Sequence, residues 1–202
     1  MTAGSHVDTR TGQLWTRRGL VRAGLLVTSA VALAGSWLGV EVDAKKKKKR
    51  RKKNRKSSVG GTSLPAHTEI DAEEQAFLEL INTYRTQNGK RALALNTQLN
   101  AASASHSMDM GLNNFFDHIN KQGKDPGNRA SAAGYRWAVI GENIAAGTVQ
   151  DTAAEAFAMW KGSKEHNHNM LDADFRDIGI GREQVSGSRY GWYWTTVFGA
   201  SA

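Results

Sequence analysis

The sequence predicts an α+β fold in which helices come first and strands close the chain. Two observations carry this. Between residues 71 and 171, apolar residues recur at helical spacing behind capping motifs, and after Phe175 the period becomes two. At 202 residues and 40% hydrophobic, the chain can bury one sizeable core, so a single domain is expected.

Taken in order, Asp71-Ala72-Glu73-Glu74 has the spacing of a capping box, and Phe77, Leu80, Ile81 and Tyr84 follow as one helical stripe. Asn88-Gly89 stops that helix. Leu93-Ala94-Leu95 is a short extended link, after which Asn96 caps a second helix with Leu99, Ala102, His106 and Met110 on one side. A polar loop with Gly123, Pro126, Gly127 and Arg129 leads to a short helix ending at Ser131 to Tyr135. Apolar Ala138-Val139-Ile140 then runs into Glu142. Thr152-Ala153-Ala154-Glu155 is a second capping box, opening a helix with Phe157 and Trp160 on its buried face, and Ser163 begins a further turn. In the last segment Ile178 and Ile180 alternate with Gly179 and Gly181, Ser186-Gly187-Ser188 turns the chain, and Trp192, Trp194, Thr196 and Phe198 share one strand face. Alternate positions of a strand must bury something, so these aromatics read as core.

The charge is unevenly placed. Residues 1–44 carry four Arg against Asp8, Glu41 and Asp43, and residues 45–56 carry eleven Lys or Arg in twelve positions. Of 27 basic and 19 acidic residues, 12 and 16 remain for 57–202, so that part is about −4 although the whole chain is +8. The folded part thus has no basic surface to offer nucleic acid. With no cysteine there is no disulfide framework, thiolate ligand or thiol nucleophile.

Residues 1–44 read as a targeting segment. Thr16-Arg17-Arg18-Gly19-Leu20 resembles a twin-arginine signal, Ala23 to Val40 is uncharged, and Val42-Asp43-Ala44 offers small residues to a signal peptidase. The alternative is an uncleaved membrane anchor, and a dense basic run after an apolar one normally stays on the cytoplasmic side. Export is the reading taken, which places the protein outside the cell or on its surface. Residues 45–65 form a linker too charged to fold alone. Its Lys45–Lys56 run is either a solvated spacer or a tether to an anionic surface: lipid head groups, cell-wall polymer or nucleic acid. The globular domain is 66–202.

Three segments carry the chemistry: Phe115-Phe116-Asp117-His118, Gly141-Glu142-Asn143-Ile144-Ala145, and Trp160 to Leu171 with His166 inside. They resemble the signature segments of the CAP superfamily (cysteine-rich secretory, antigen 5 and pathogenesis-related proteins), in its bacterial, cysteine-free branch. Lys121-Gln122, Glu165 and Thr196 depart from that pattern, which has Pro-Asp, Gly and Gln at those places. The resemblance implies a three-layer α-β-α sandwich with a small, mostly antiparallel sheet. It also implies that His118, Glu142 and His166 meet in one polar cleft, with His106, Asn143, Asn169 and Thr196 as neighbours.

Two readings of that trio stay open. Two imidazoles and a carboxylate suit a divalent ion, zinc foremost, with one position left for water or ligand. His166, in the first turn of its helix, is disfavoured as imidazolium there, and a neutral ring is what a metal needs. Without metal, the same residues form a hydrogen-bonded network that holds three loops. His106, on an apolar stripe, reads as a satisfied core histidine. His168 reads as exposed, and His6 and His67 as outside the packed domain.

The resemblance implies a monomeric extracellular module that binds lipid, sterol or surface components. The rival readings are a passive envelope-adhesion protein and a metal-dependent hydrolase of peptides or esters. In the hydrolase Glu142 would be the general base, and a further acid such as Asp117 or Glu165 would be needed as a ligand. No Gly-x-Ser-x-Gly elbow is present.

Overall fold

The computed structural model describes Gln13–Thr16, as backbone alone, and residues 69–202. The arginine pair, the apolar run, the cleavage site, the basic linker, His6 and His67 lie outside the described residues.

Helix α1 (Ala72–Gln87) starts at the expected capping box: Glu74 N–H donates to Asp71 Oδ1 and Asp71 N–H to Glu74 Oε2, both at 2.8 Å. It ends at Asn88, and Gly89 takes a φ of 68°, where a side chain would be strained. Phe77 and Ile81 are buried, whereas Leu80 is 36% exposed and Tyr84 half-buried. The apolar stripe is therefore wider than the face that packs on the sheet.

Strand β2 (Ala94–Leu95) precedes helix α2 (Thr97–Leu112), where Asn96 Oδ1 accepts from the N–H groups of Gln98 and Leu99. Helix α3 (Pro126–Ala132) has Pro126 in its first turn, where no N–H is needed, and Asp125 as its cap. Strand β3 (Trp137–Gly147), helix α4 (Ala153–Gly162), helix α5 (Lys164–Leu171), strand β4 (Asp177–Gln184) and strand β5 (Trp192–Ser201) complete the domain.

The sheet order is β1-β3-β5-β4-β2, with β1 formed by Gln13–Thr16. Among the described residues only the β2–β4 pairing is parallel. The expected three-layer α-β-α sandwich is what forms. One face packs on α1, α4 and α5 around Phe77, Trp160, Met170, Trp194 and Phe198. The other packs on α2 through Met110, Ile144 and Tyr193, and through Leu99, Ile140 and Val197. Phe77 meets Trp160 edge to face at 5.3 Å, a favoured aromatic geometry at the centre of the first layer.

The alternating glycines of β4 let α2 lie directly on the sheet. A Cβ at Gly179 would fall 2.1 Å from the carbonyl carbon of Leu99, and one at Gly181 would fall 2.2 Å from the Ala104 nitrogen. At that close approach the Asn100 Oδ1 accepts from Ile180 N–H at 2.8 Å, and Ser107 Oγ donates to the Gly181 carbonyl at 2.9 Å.

Candidate functional site

Alternation along β3 decides where its polar residues go. Ile140, Glu142 and Ile144 share one parity, and the two isoleucines pack with α2 residues Leu99 and Met110. Asn143 and Ala145 have the other parity, and Ala145 packs with Phe77 and Trp160. Adjacent residues of the Gly-Glu-Asn segment thus serve opposite layers.

Glu142 is fully buried on the α2 side. Its Oε1 accepts from His118 Nδ1 at 2.8 Å, and its Oε2 accepts from Arg129 Nη2 at 2.5 Å. His106 Nε2 lies 4.0 Å from Oε1 and 3.0 Å from the Asp117 carbonyl. Burial pushes the Glu142 carboxyl up, but the Arg129 charge, with His106 and His118, more than offsets this and holds it at about 2. Burial drives His106 the other way, down to about 4, so at neutral pH its ring is uncharged. An ionised carboxylate can only accept, so the His118 Nδ1 carries the proton. The carbonyl of Asp117 likewise fixes the proton of neutral His106 on Nε2, and its Nδ1 is buried with no hydrogen-bond partner.

Arg129 also fastens the loop before it, donating from Nη1 to the carbonyls of His118 and Lys124, both at 2.8 Å. Asn120 Oδ1 accepts from Gln122 N–H and Lys124 N–H, and Gly123 turns with a φ of 75°. The loop thus closes with Lys121-Gln122 where the resembled pattern has Pro-Asp.

On the opposite layer His166 is the third residue of α5, as the sequence placed it. Ser163 makes no side-chain cap to that helix; its Oγ lies 2.7 Å from His166 Nδ1 instead. Asn143 Nδ2 donates to the His166 carbonyl at 3.1 Å, and Asn169 Nδ2 donates to Asn143 Oδ1 at 2.9 Å and to the Glu142 carbonyl at 3.2 Å. Thr196 faces Asn143 across the β3–β5 ladder, and its buried Oγ1 has no hydrogen-bond partner.

All seven expected site residues are buried, but in two groups. His118, Glu142 and His106 meet on the α2 side; His166, Asn143, Asn169 and Thr196 lie with the α5 layer. Among the described residues no group of three His, Cys, Asp or Glu side chains could hold a metal ion. Each Glu142 oxygen is already engaged, one of them by a guanidinium, so His118, Glu142 and His166 do not fit a three-ligand zinc centre. As expected, His168 is exposed and Tyr193 and Trp194 are core. Two partners were not assigned to the site from sequence: Arg129, read as a loop residue, and Ser163, read as the start of a turn. Arg129 left one signal, a cation within reach of an otherwise uncompensated acid.

A family model described as "Cysteine-rich secretory protein family", CAP, matches residues 78–198. The uncharacterised protein YkwD of Bacillus subtilis is 32% identical over 137 residues, which are 68% of this chain and 51% of YkwD. The uncharacterised membrane protein YlbC of the same organism is 30% identical over 108 residues, 54% of this chain and 31% of YlbC. This chain therefore spans about half or less of those relatives. Among solved structures, an extracellular SCP-domain protein of Bacillus anthracis is similar with a TM-score of 0.57 and 27% identity, over 64% of this chain and 40% of that one. An outer surface protein of Borrelia burgdorferi shares the fold with a TM-score of 0.58 at 18% identity, over 66% of this chain and 97% of its own. Among the described residues, no helix is long and apolar enough to cross a membrane. The segments around His118, Glu142 and His166, the three-layer sandwich and the match over 78–198 agree: the chain belongs to the CAP family, in a form without cysteine.

Proposed function

We propose that this protein is an exported, non-catalytic binding module whose ligand lies in the groove between α1 and α4. The observation that carries this is the groove itself, about 700 Å³, with Ala76, Leu80, Tyr84, Ala153 and Phe157 in its walls. That size suits a small ligand or one acyl chain. Leu80, expected in the core, is instead a wall of this groove. Lys161 also lines it, its Nζ 4.8 Å from the Tyr84 ring centroid, but Glu73 and Glu79 line it too, so the groove's charge does not select an anionic head and the apolar walls carry the reading. A single-chain amphiphile is the ligand class this fits.

The buried polar network supports binding over hydrolysis. A general base works best with a pKa near the operating pH, and Glu142 is held at about 2 with both oxygens engaged. Its role is a brace joining β3 to the His118 loop. Export is supported by the likeness to an extracellular and an outer-surface protein, and Lys45–Lys56 would hold the module at an anionic surface.

Titrating the full chain with a dansyl-labelled fatty acid tests the groove. Saturable binding, weakened at least about tenfold by Leu80→Asp with the melt unchanged, is expected, equivalent to about 1.4 kcal/mol. Equal binding by both proteins, or none by the parent, would overturn it.

A further inference from the structure

Gln13–Thr16 belong to the segment read as a leader, yet they form a strand of the folded domain. Their partners are Gln13↔Glu142, Leu14↔Gly141, Trp15↔Ile140 and Thr16↔Val139, antiparallel and in continuous register. On its other side β3 is paired with β5, so β1 covers what would otherwise be an open sheet edge. The strand also passes near α5 and runs beside the residue at the hub of the buried network. We propose that the outer edge of β3, over Val139–Glu142, is a docking site for an extended peptide, with the chain's own Gln13–Thr16 as its displaceable occupant.

Three features argue for displacement rather than permanent incorporation. Pairing of this kind is carried by main-chain hydrogen bonds, which any extended peptide can supply. The strand is only four residues long, and a short strand on one edge is marginal by itself. Residues 17–68 separate it in sequence from the rest of the described domain, so its pairing with β3 is long-range and is not enforced by a tight turn. If processing removes residues 1–44, as the leader reading expects, the same edge is vacated beside Glu142. The docking itself does not depend on that reading.

The absence of cysteine makes a clean test possible. In the full chain, Thr16→Cys with Val139→Cys places two thiols at register partners, and Thr16→Cys with Ser186→Cys places them at unrelated positions. Under mild oxidation the first pair should close within one chain at least tenfold faster than the second. A fluorescein-labelled peptide of residues 9–20 should then bind a Leu14→Pro/Trp15→Pro chain and not the oxidised Thr16→Cys/Val139→Cys chain. Successive N–H groups of a strand point to opposite sides, so the two prolines remove whichever one faces β3. Equal cross-linking of the two cysteine pairs, or no cross-linking in either, would overturn the docking. Peptide binding equal in the two chains, or absent from both, would overturn its displaceability.

Discussion

Arg129 Nη2 stands 2.5 Å from Glu142 Oε2, and the carboxylate it meets is shielded entirely from solvent. Arg129 lies in α3, on the connection from α2 to β3, and also holds the His118 carbonyl, so one side chain fixes the segment that carries His118 against the strand that carries Glu142. A buried charge keeps its favourable energy only while its partner is present.

Glu142→Gln follows directly. The amide keeps the shape but leaves a guanidinium buried without its counter-charge and weakens the acceptor for His118 Nδ1. Removing one member of a buried pair costs about 3–5 kcal/mol. Urea unfolding should show a loss of that size with an unchanged slope. A loss under about 1 kcal/mol would mean that the brace carries little of the fold.

Acid should act in two windows. His106 has a folded-state pKa of about 4, below its ordinary 6.5, so the unfolded chain takes up its proton first. Its stabilising contribution is complete above pH 6.5 and is lost as the pH falls toward 4. Glu142, at about 2 against an ordinary 4.5, contributes fully above 4.5 and loses that contribution as the pH falls toward 2. Melting temperature should therefore begin to drop below pH 6.5 and fall again below 4.5. His106→Gln should flatten the upper window and leave the lower one, and a profile flat to pH 4 in the parent would contradict this assignment.

Zinc separates the two readings of the histidines. With Glu142 engaged by Arg129 and His118, adding zinc or a chelator should leave the melting temperature of the parent unchanged within about one degree. His118→Ala should lower stability by about 1–3 kcal/mol, the cost of a buried acceptor losing a donor, with or without zinc. A zinc-dependent rise in the parent that His118→Ala abolishes would restore the metal reading.

The fold was legible because its signals are local. Asp71 with Glu74 and Thr152 with Glu155 announce two helix starts, and the alternation from Ile178 to Phe198 announces the strands. The site was legible only in part. His118, Glu142 and His166 stand out as chemistry-bearing residues, but motif spacing does not display the strand alternation that sends the Glu142 and Asn143 side chains to opposite layers. The pairing of Arg129 with Glu142 joins α3 to β3 across 13 positions and depends on how the connection at 133–136 closes, which no local pattern encodes. The strand at Gln13–Thr16 was hidden for a similar reason: its partner is 123 or more residues away, and its neighbourhood reads as a leader.

The glycines of β4 give the sharpest test of how the layers meet. Adding a methyl at Gly181 sets it 2.2 Å from the Ala104 nitrogen and 2.4 Å from the Ser103 carbonyl carbon, both main-chain atoms of α2 that cannot rotate away. The helix must shift outward, which strains the Ser107 bonds to the Gly181 carbonyl and to Thr195 Oγ1 and disturbs the layer holding His106. Overpacking of this kind costs about 1–3 kcal/mol, and lost buried hydrogen bonds add to it. Gly187→Ala is the control for backbone effects, since that glycine has a φ of 77° and open space around it. Gly181→Ala should lose at least about 2 kcal/mol in urea unfolding and shift the amide signals of α2, whereas Gly187→Ala should lose about 1 kcal/mol and leave α2 unmoved. If Gly181→Ala proved as mild as the control, α2 would not be seated on β4 by backbone contact.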